Sequence, residues 1–174
     1  MALPPVFLLG CEGKTEINYF KTLSQTLFRT ITFKFSGANN DKSDPPSVLK
    51  ALKKEISKSK KDITGAWAII DTDNRKPEEF NTLERWSQTN PTYGLAISKP
   101  CFELWLLLHV DDKFPQTKTA VITALQKHFP DWKKPLCPTF TEERVKQAVV
   151  QAKRNDQTTV YKLIEILLEN RSLN

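Results

Sequence analysis

Several things are scarce in this 174-residue chain, and each scarcity removes a class of protein. No apolar run approaches the ~20 residues that a membrane span requires. Only 5 glycines are present, too few for a low-complexity segment. The 3 cysteines, Cys11, Cys101 and Cys137, form no CxxC pair and are odd in number. That argues for a reducing compartment, against a disulfide scaffold and against a zinc knuckle. The 2 histidines, His109 and His128, are poorly placed to join the acids that follow the strands, which argues against Zn²⁺. Leu8-Leu9-Gly10-Cys11 has the look of a lipoprotein cleavage box, but Pro4 and Pro5 interrupt the apolar stretch and no Lys or Arg precedes it. The expectation is a cytoplasmic protein whose first apolar run is a buried strand.

What is present describes a folded α/β chain. Apolar residues make up 39%, and 17 residues are aromatic, enough for one core without covalent staples. Lys and Arg exceed Asp and Glu by 6, an excess that fits a nucleic-acid partner without requiring one. Short apolar runs at Val6–Leu9 and Trp67–Ile70 read as strands buried on both faces. Residues 30–36 alternate, with Ile31, Phe33 and Phe35 on one side, and read as a strand near an edge. Tyr93–Ser98 is a further short strand. Helical spacing follows each strand, over 14–28, 44–61, 78–87 and 102–109. Asp44 before Pro45 and Pro46 reads as a helix start. From about residue 110 the strand signal stops, and 117–128, 141–153 and 159–169 read as amphipathic helices, the last with Thr158 as N-cap. The expected fold is α/β: a mostly parallel four-stranded sheet flanked by helices over 1–110, with an α-helical C-terminal extension over 111–174 packed on it.

In such a sheet, ligands bind at the carboxyl ends of the strands. Glu12 and Glu16 follow the first strand, Asp71 and Asp73 the third, and Glu103 the fourth. Five carboxylates therefore converge on one edge, where their mutual repulsion is relieved by a divalent cation. Oxygen ligands suit Mg²⁺ or Mn²⁺, whose shell is commonly completed by phosphate. The candidate metal ligands are Glu12, Glu16, Asp71 and Asp73. Glu103 sits among apolar neighbours as either a ligand or general base, or the partner of Lys99 or of an Arg from the C-terminal helices. Lys99 is either a phosphate contact or a surface lysine. Gly13-Lys14-Thr15 resembles the end of a P-loop, but only two residues separate Gly10 from Gly13 where that motif needs four. Lys14, together with Lys50, Lys53, Lys54, Lys58, Lys60 and Lys61 of the second helix, offers a basic surface for a phosphate backbone, with a merely solvated helix face as the alternative.

These residues also carry a resemblance. Glu12-Gly13-Lys14-Thr15-Glu16 followed by Asp71-Thr72-Asp73 resembles the Toprim signature of topoisomerases, bacterial primases and overcoming-lysogenization-defect nucleases. Cys11-Glu12-Gly13-Lys14-Thr15-Glu16 with Tyr19-Phe20, then Ser98 to His109 (SKPCFELWLLLH), then Asn155 to Leu168 (NDQTTVYKLIEILL), resembles the RloB family along nearly the whole chain. Lys99 departs from that family's pattern, which has Asn there. The resemblance implies a Toprim/Rossmann-like fold and a Mg²⁺- or Mn²⁺-dependent nuclease acting on DNA or RNA, tRNA included. It further implies a setting in antiphage defence of the abortive-infection type, near restriction-modification genes or an AAA-type ATPase partner. It assigns Glu12 as acid/base or metal ligand, Asp71 and Asp73 as metal ligands, Glu16 as the second acid of the first motif, and Glu103 as the family's own acid. The nuclease reading makes Glu12, Asp71, Asp73, Glu103 and Lys99 the catalytic set. The rivals are a metal- and nucleic-acid-binding regulatory subunit of an ATPase complex, and another phosphotransfer enzyme such as a nucleotidyltransferase. No membrane partner is expected, and the oligomeric state stays open, a homo-oligomer included.

Overall fold

The computed structural model describes residues 3–37, 44–59, 63–72 and 75–171. Lys60, Lys61 and Asp73 therefore lie outside the described residues. Four strands, β1 (Val6–Cys11), β2 (Thr32–Ser36), β3 (Gly65–Asp71) and β4 (Tyr93–Ser98), form one sheet in the order β2-β1-β3-β4. Every pairing is parallel. The helices are α1 (Lys14–Thr26), α2 (Pro45–Lys58), α3 (Asn81–Ser87, preceded by a 3₁₀ turn over Pro77–Phe80), α4 (Glu103–Leu107), α5 (Lys118–His128), α6 (Glu142–Ala152) and α7 (Val160–Arg171). No described helix is long and apolar enough to cross a membrane.

Gly10, which bounds the first apolar run in the sequence, lies inside β1. β1 continues through Gly10 to Cys11, and β3 begins at Gly65. At Gly10 a Cβ would sit 2.5 Å from the Leu52 side chain, so glycine is what lets α2 lie close on β1. Asp44 caps α2 as its sequence suggests, accepting from Ser47 N at 2.9 Å, with proline in the first turn.

The core divides at the sheet. On one face, α2 and α3 bury Val48, Leu49, Leu52, Phe80, Leu83 and Trp86 against Leu8, Ala66, Ala68 and Ile70. On the other, α1 and all the helices from α4 onward share one apolar cluster with Phe7, Leu9 and Ile69. β2 forms one edge of the sheet. The β4 edge is covered by the segment before α7: Thr159 N donates to Ile97 O (2.8 Å), Thr159 Oγ1 accepts from Ile97 N (2.9 Å), and Ser98 bridges Thr158. Thr158 thus belongs to the sheet edge as well as to the start of α7, where its Oγ1 accepts from Val160 N at 3.4 Å.

The chain leaves β1 toward β2 and returns to place β3 on the other side of β1. The carboxyl ends of β1 and β3 therefore flank the point where the winding reverses, and the crevice of the fold opens there.

Candidate metal and phosphate site

That crevice is a cleft of about 440 Å³ lined by Glu12, Glu16, Asp71 and Glu103. Glu12 is the first residue past β1, Glu16 is in the first turn of α1, Asp71 ends β3 and Glu103 opens α4. Four of the five acids expected at this edge are therefore brought together, and the fifth, Asp73, lies outside the described residues.

Each acid is held differently. Glu12 accepts the backbone N–H of Asp71 on one oxygen and the Arg75 guanidinium on the other. Glu103 is 1% exposed and pairs with the Lys134 ammonium. This corrects the partners considered from sequence, Lys99 and an Arg of the C-terminal helices: the cation comes from the loop between α5 and α6. Glu16 is buried beside Gly13, where a Cβ would meet Glu16 Oε2 at 2.8 Å. A glycine at this position makes room for the carboxylate.

The electrostatics record the crowding. Burial, reinforced by Glu103 and Glu12, pushes the Glu16 carboxyl up to about 7, although a backbone hydrogen bond and Lys134 hold it down. Asp71 is raised well above the usual carboxylate range by burial and then by Glu16, Glu12 and Glu103. Burial, with Glu16 nearby, likewise raises the Cys11 thiol. Two buried oxygens, Asp71 Oδ1 and Glu103 Oε2, have no hydrogen-bond partner among the described residues. Such atoms are rare in native interiors and call for a reason.

A divalent cation would supply one. The donor set is all oxygen, which fits Mg²⁺ or Mn²⁺. Among the described residues, no three His, Cys, Asp or Glu side chains already stand together as a metal cage. Glu12 is turned to Arg75, and Glu103 spends one oxygen on Lys134. The histidines take no part. His109 is buried between Tyr19 and Trp105, and His128 pairs with Asp111 at 3.0 Å.

The rim is cationic. Lys14, Arg75, Lys118 and Lys134 line the cleft, and α1 presents its first turn there with no side-chain cap. Lys14 was a sequence candidate; Arg75, Lys118 and Lys134 were not. The available signal was the burial cost of Glu103, which demands a cation from somewhere, and the turn-rich Pro130–Thr139 stretch contains Lys133-Lys134. Lys99 is exposed and does not line the cleft. Lys50, Lys53, Lys54 and Lys58 are exposed on α2, across the sheet from α1 and the C-terminal helices, and Lys58 pairs with Glu55 at 2.9 Å.

The sequence profile of the family described as RloB-like protein matches residues 7–167. The chain belongs to the RloB-like family. The match runs from β1 through most of α7, so this family unit takes in the sheet with its acids, the helix α5 that supplies Lys118 and the α5–α6 loop that supplies Lys134. No curated protein and no solved structure matches the chain.

Proposed function

We propose that this RloB-like protein is a Mg²⁺-dependent phosphodiester hydrolase of the Toprim type, a nuclease acting on DNA or RNA in antiphage defence. The observation that carries the reading is the acid cluster at the winding reversal, where two buried oxygens without a hydrogen-bond partner among the described residues lie within a ring of lysines and arginine. Asp71 and Glu103 offer those oxygens to the cation, Glu16 adds a third carboxylate, and Glu12 is held by Arg75 and the Asp71 amide. The cation, when bound, would lower the pKa of a water and stabilise charge on the phosphate. The chain's own contribution is positioning. Lys14 and Lys118 face the cleft as phosphate contacts, and the first turn of α1 adds a favourable field for an anion. Water adds to phosphorus and passes a proton to a carboxylate of the cluster, the P–O bond to the departing nucleotide breaks, and the departing oxygen takes up a proton from solvent.

Titration calorimetry with Mg²⁺ and Mn²⁺ tests the site, on the wild type and on Asp71→Ala/Asp73→Ala with thermal melts alongside. Loss of binding in a folded variant is expected, together with loss of at least about 100-fold in cleavage of labelled DNA or RNA. A wild type that binds neither ion, even with oligonucleotide present, sinks the reading.

The rival of a non-cleaving regulatory subunit is favoured by one feature. Arg75 and Lys134 already neutralise two of the acids, so the cluster is stable without turnover. Metal and nucleic-acid binding with no cleavage, alone or with an AAA-type ATPase added, selects that reading.

A further inference from the structure

Glu103 is an acid in an unusual setting. Its side chain is 1% exposed, and leaving such a charge unpaired is costly. Its only cation partner among the described residues is Lys134, whose own side chain is 41% exposed. One carboxylate oxygen holds the ammonium; the other, Oε2, is buried with no hydrogen-bond partner among the described residues. The base of the lysine is fixed. Leu136 N donates to Lys133 O at 2.9 Å, Trp132 Nε1 donates to Leu136 O at 2.8 Å, and Asn18 Nδ2 donates to Pro135 O at 2.7 Å, which ties this turn to α1. A flexible stem on a rigid turn leaves the ammonium group as the moving part. The charge of Lys134 also reaches beyond its partner, since it favours the ionised forms of Glu16 and Asp71.

We propose that Lys134 is a built-in counter-ion that occupies Glu103 in the metal-free protein, gives up that carboxylate when a divalent cation enters, and turns to the phosphate of the substrate. The inference rests on the metal-dependent reading of the cleft and adds a role for the C-terminal extension, which that reading does not require. Three facts support it. The pair joins a sealed acid to a solvent-reaching ammonium, so one partner is free to leave. The second oxygen of Glu103 makes no hydrogen bond among the described residues that a cation would have to displace. Lys134 lines the same cleft as Lys14 and Lys118, so an ammonium released from Glu103 is already beside the phosphate position. Lysine suits an exchangeable contact better than arginine, because it binds as a point charge without a planar two-point grip. Lys134 is thus a positioning residue in the resting protein and a substrate contact in the loaded one.

The test uses the full chain, stripped of metal with a chelator, and four variants: Lys134→Gln, Lys134→Arg, the double variant Glu103→Gln/Lys134→Gln, and Lys133→Gln as a neighbouring control. Thermal melts and Mn²⁺ calorimetry are read with and without inorganic phosphate. Without metal, Lys134→Gln melts at least about 5 °C below the wild type, while Lys134→Arg, Lys133→Gln and the double variant melt close to it. Mn²⁺ alone then binds Lys134→Gln at least about tenfold tighter than wild type, because no lysine competes for Glu103, and this gain vanishes in the double variant. Phosphate strengthens Mn²⁺ binding in the wild type and has less effect in Lys134→Gln. An unchanged metal-free melt in Lys134→Gln, or Mn²⁺ affinity equal to or weaker than wild type, overturns the counter-ion role while leaving the metal site standing. Absence of any Mn²⁺ response in the wild type and in every variant overturns both together.

Discussion

Tyr19 and His109 show how single side chains set the pH response of the core. His109 Nδ1 lies 2.8 Å from Trp105 O, an acceptor, so this nitrogen carries the proton. Nε2 then accepts from Tyr19 O–H at 3.0 Å, and the ring stacks on Phe140. Both residues are fully buried, and burial pushes the His109 pKa down to about 3. Between about 3 and the ordinary value near 6.5, the unfolded chain takes up a proton that the native state refuses. The stabilisation from the neutral ring is therefore complete above about 6.5 and is lost as pH falls, by up to about 1.4 kcal/mol per pH unit. Glu16 works in the opposite sense. Its folded pKa of about 7 lies above its unfolded value, so its contribution is complete below about 4.5 and is lost as pH rises through about 7. Urea unfolding across pH separates the two: Glu16→Gln is expected to stabilise the metal-free protein at pH 8 and to leave it nearly unchanged at pH 4. Tyr19→Phe removes the donor to a buried ring nitrogen and should cost about 1–3 kcal/mol at pH 7, with Mn²⁺ affinity unaffected.

At the scale of elements, the β1–α1 junction is the part that builds the cleft. Gly13 has an extended backbone (φ −132°), so alanine brings no backbone strain there. Its methyl group would instead press on the Glu16 carboxylate. Gly13→Ala is expected to fold with a melting point near wild type and to lose about tenfold in Mn²⁺ affinity, read by calorimetry. Gly94 on β4 is the contrasting case. There a Cβ would come within 2.4 Å of the Trp67 ring, a rigid group that is 6% exposed. Gly94→Ala should destabilise by roughly 1–3 kcal/mol or more in urea unfolding without touching the site directly.

For the whole molecule, the cluster shared by α1 and α4–α7 determines what folds as a unit. Leu104, Trp105, Leu106, Leu107 and Leu108 are all 0% exposed, and they pack in one cluster with Val121, Leu125, Val145, Leu163 and Ile164 of the C-terminal helices. A fragment ending at residue 110 strips that cover and leaves the β4 edge open. It is expected to aggregate or to lose near-ultraviolet circular dichroism, and a cooperative thermal transition in that fragment would contradict this account. The lysines of α2 act at the same scale, because they sit on the face remote from the C-terminal helices. If they hold nucleic acid, replacing Lys50, Lys53, Lys54 and Lys58 with Gln flattens the salt dependence of binding by a slope of about 3–4. An unchanged slope makes them a solvated helix face.

The linear order of residues determined the strand–helix alternation, and with it the placing of acids just past the strands. Val6–Leu9 and Trp67–Ile70 are apolar enough to be buried on both sides, and a parallel sheet aligns the carboxyl ends of its strands. Glu12, Glu16, Asp71 and Glu103 were therefore legible as one group before any contact was known. Their family was legible for a related reason: the motif around Glu103 is long and uninterrupted. Local pattern was less reliable where a glycine served packing rather than chain reversal, as at Gly10 beneath Leu52. Only the tertiary structure decided which cations answer the acids. Arg75 lies 63 residues from Glu12 in the chain, and Lys134 stands on a turn that carries no periodic signal. Ion pairs of this kind depend on where a loop is pinned after the core has closed, here by Asn18 and Trp132. Nothing in the neighbouring sequence encodes that distance, so Lys134 rather than Lys99 faces Glu103.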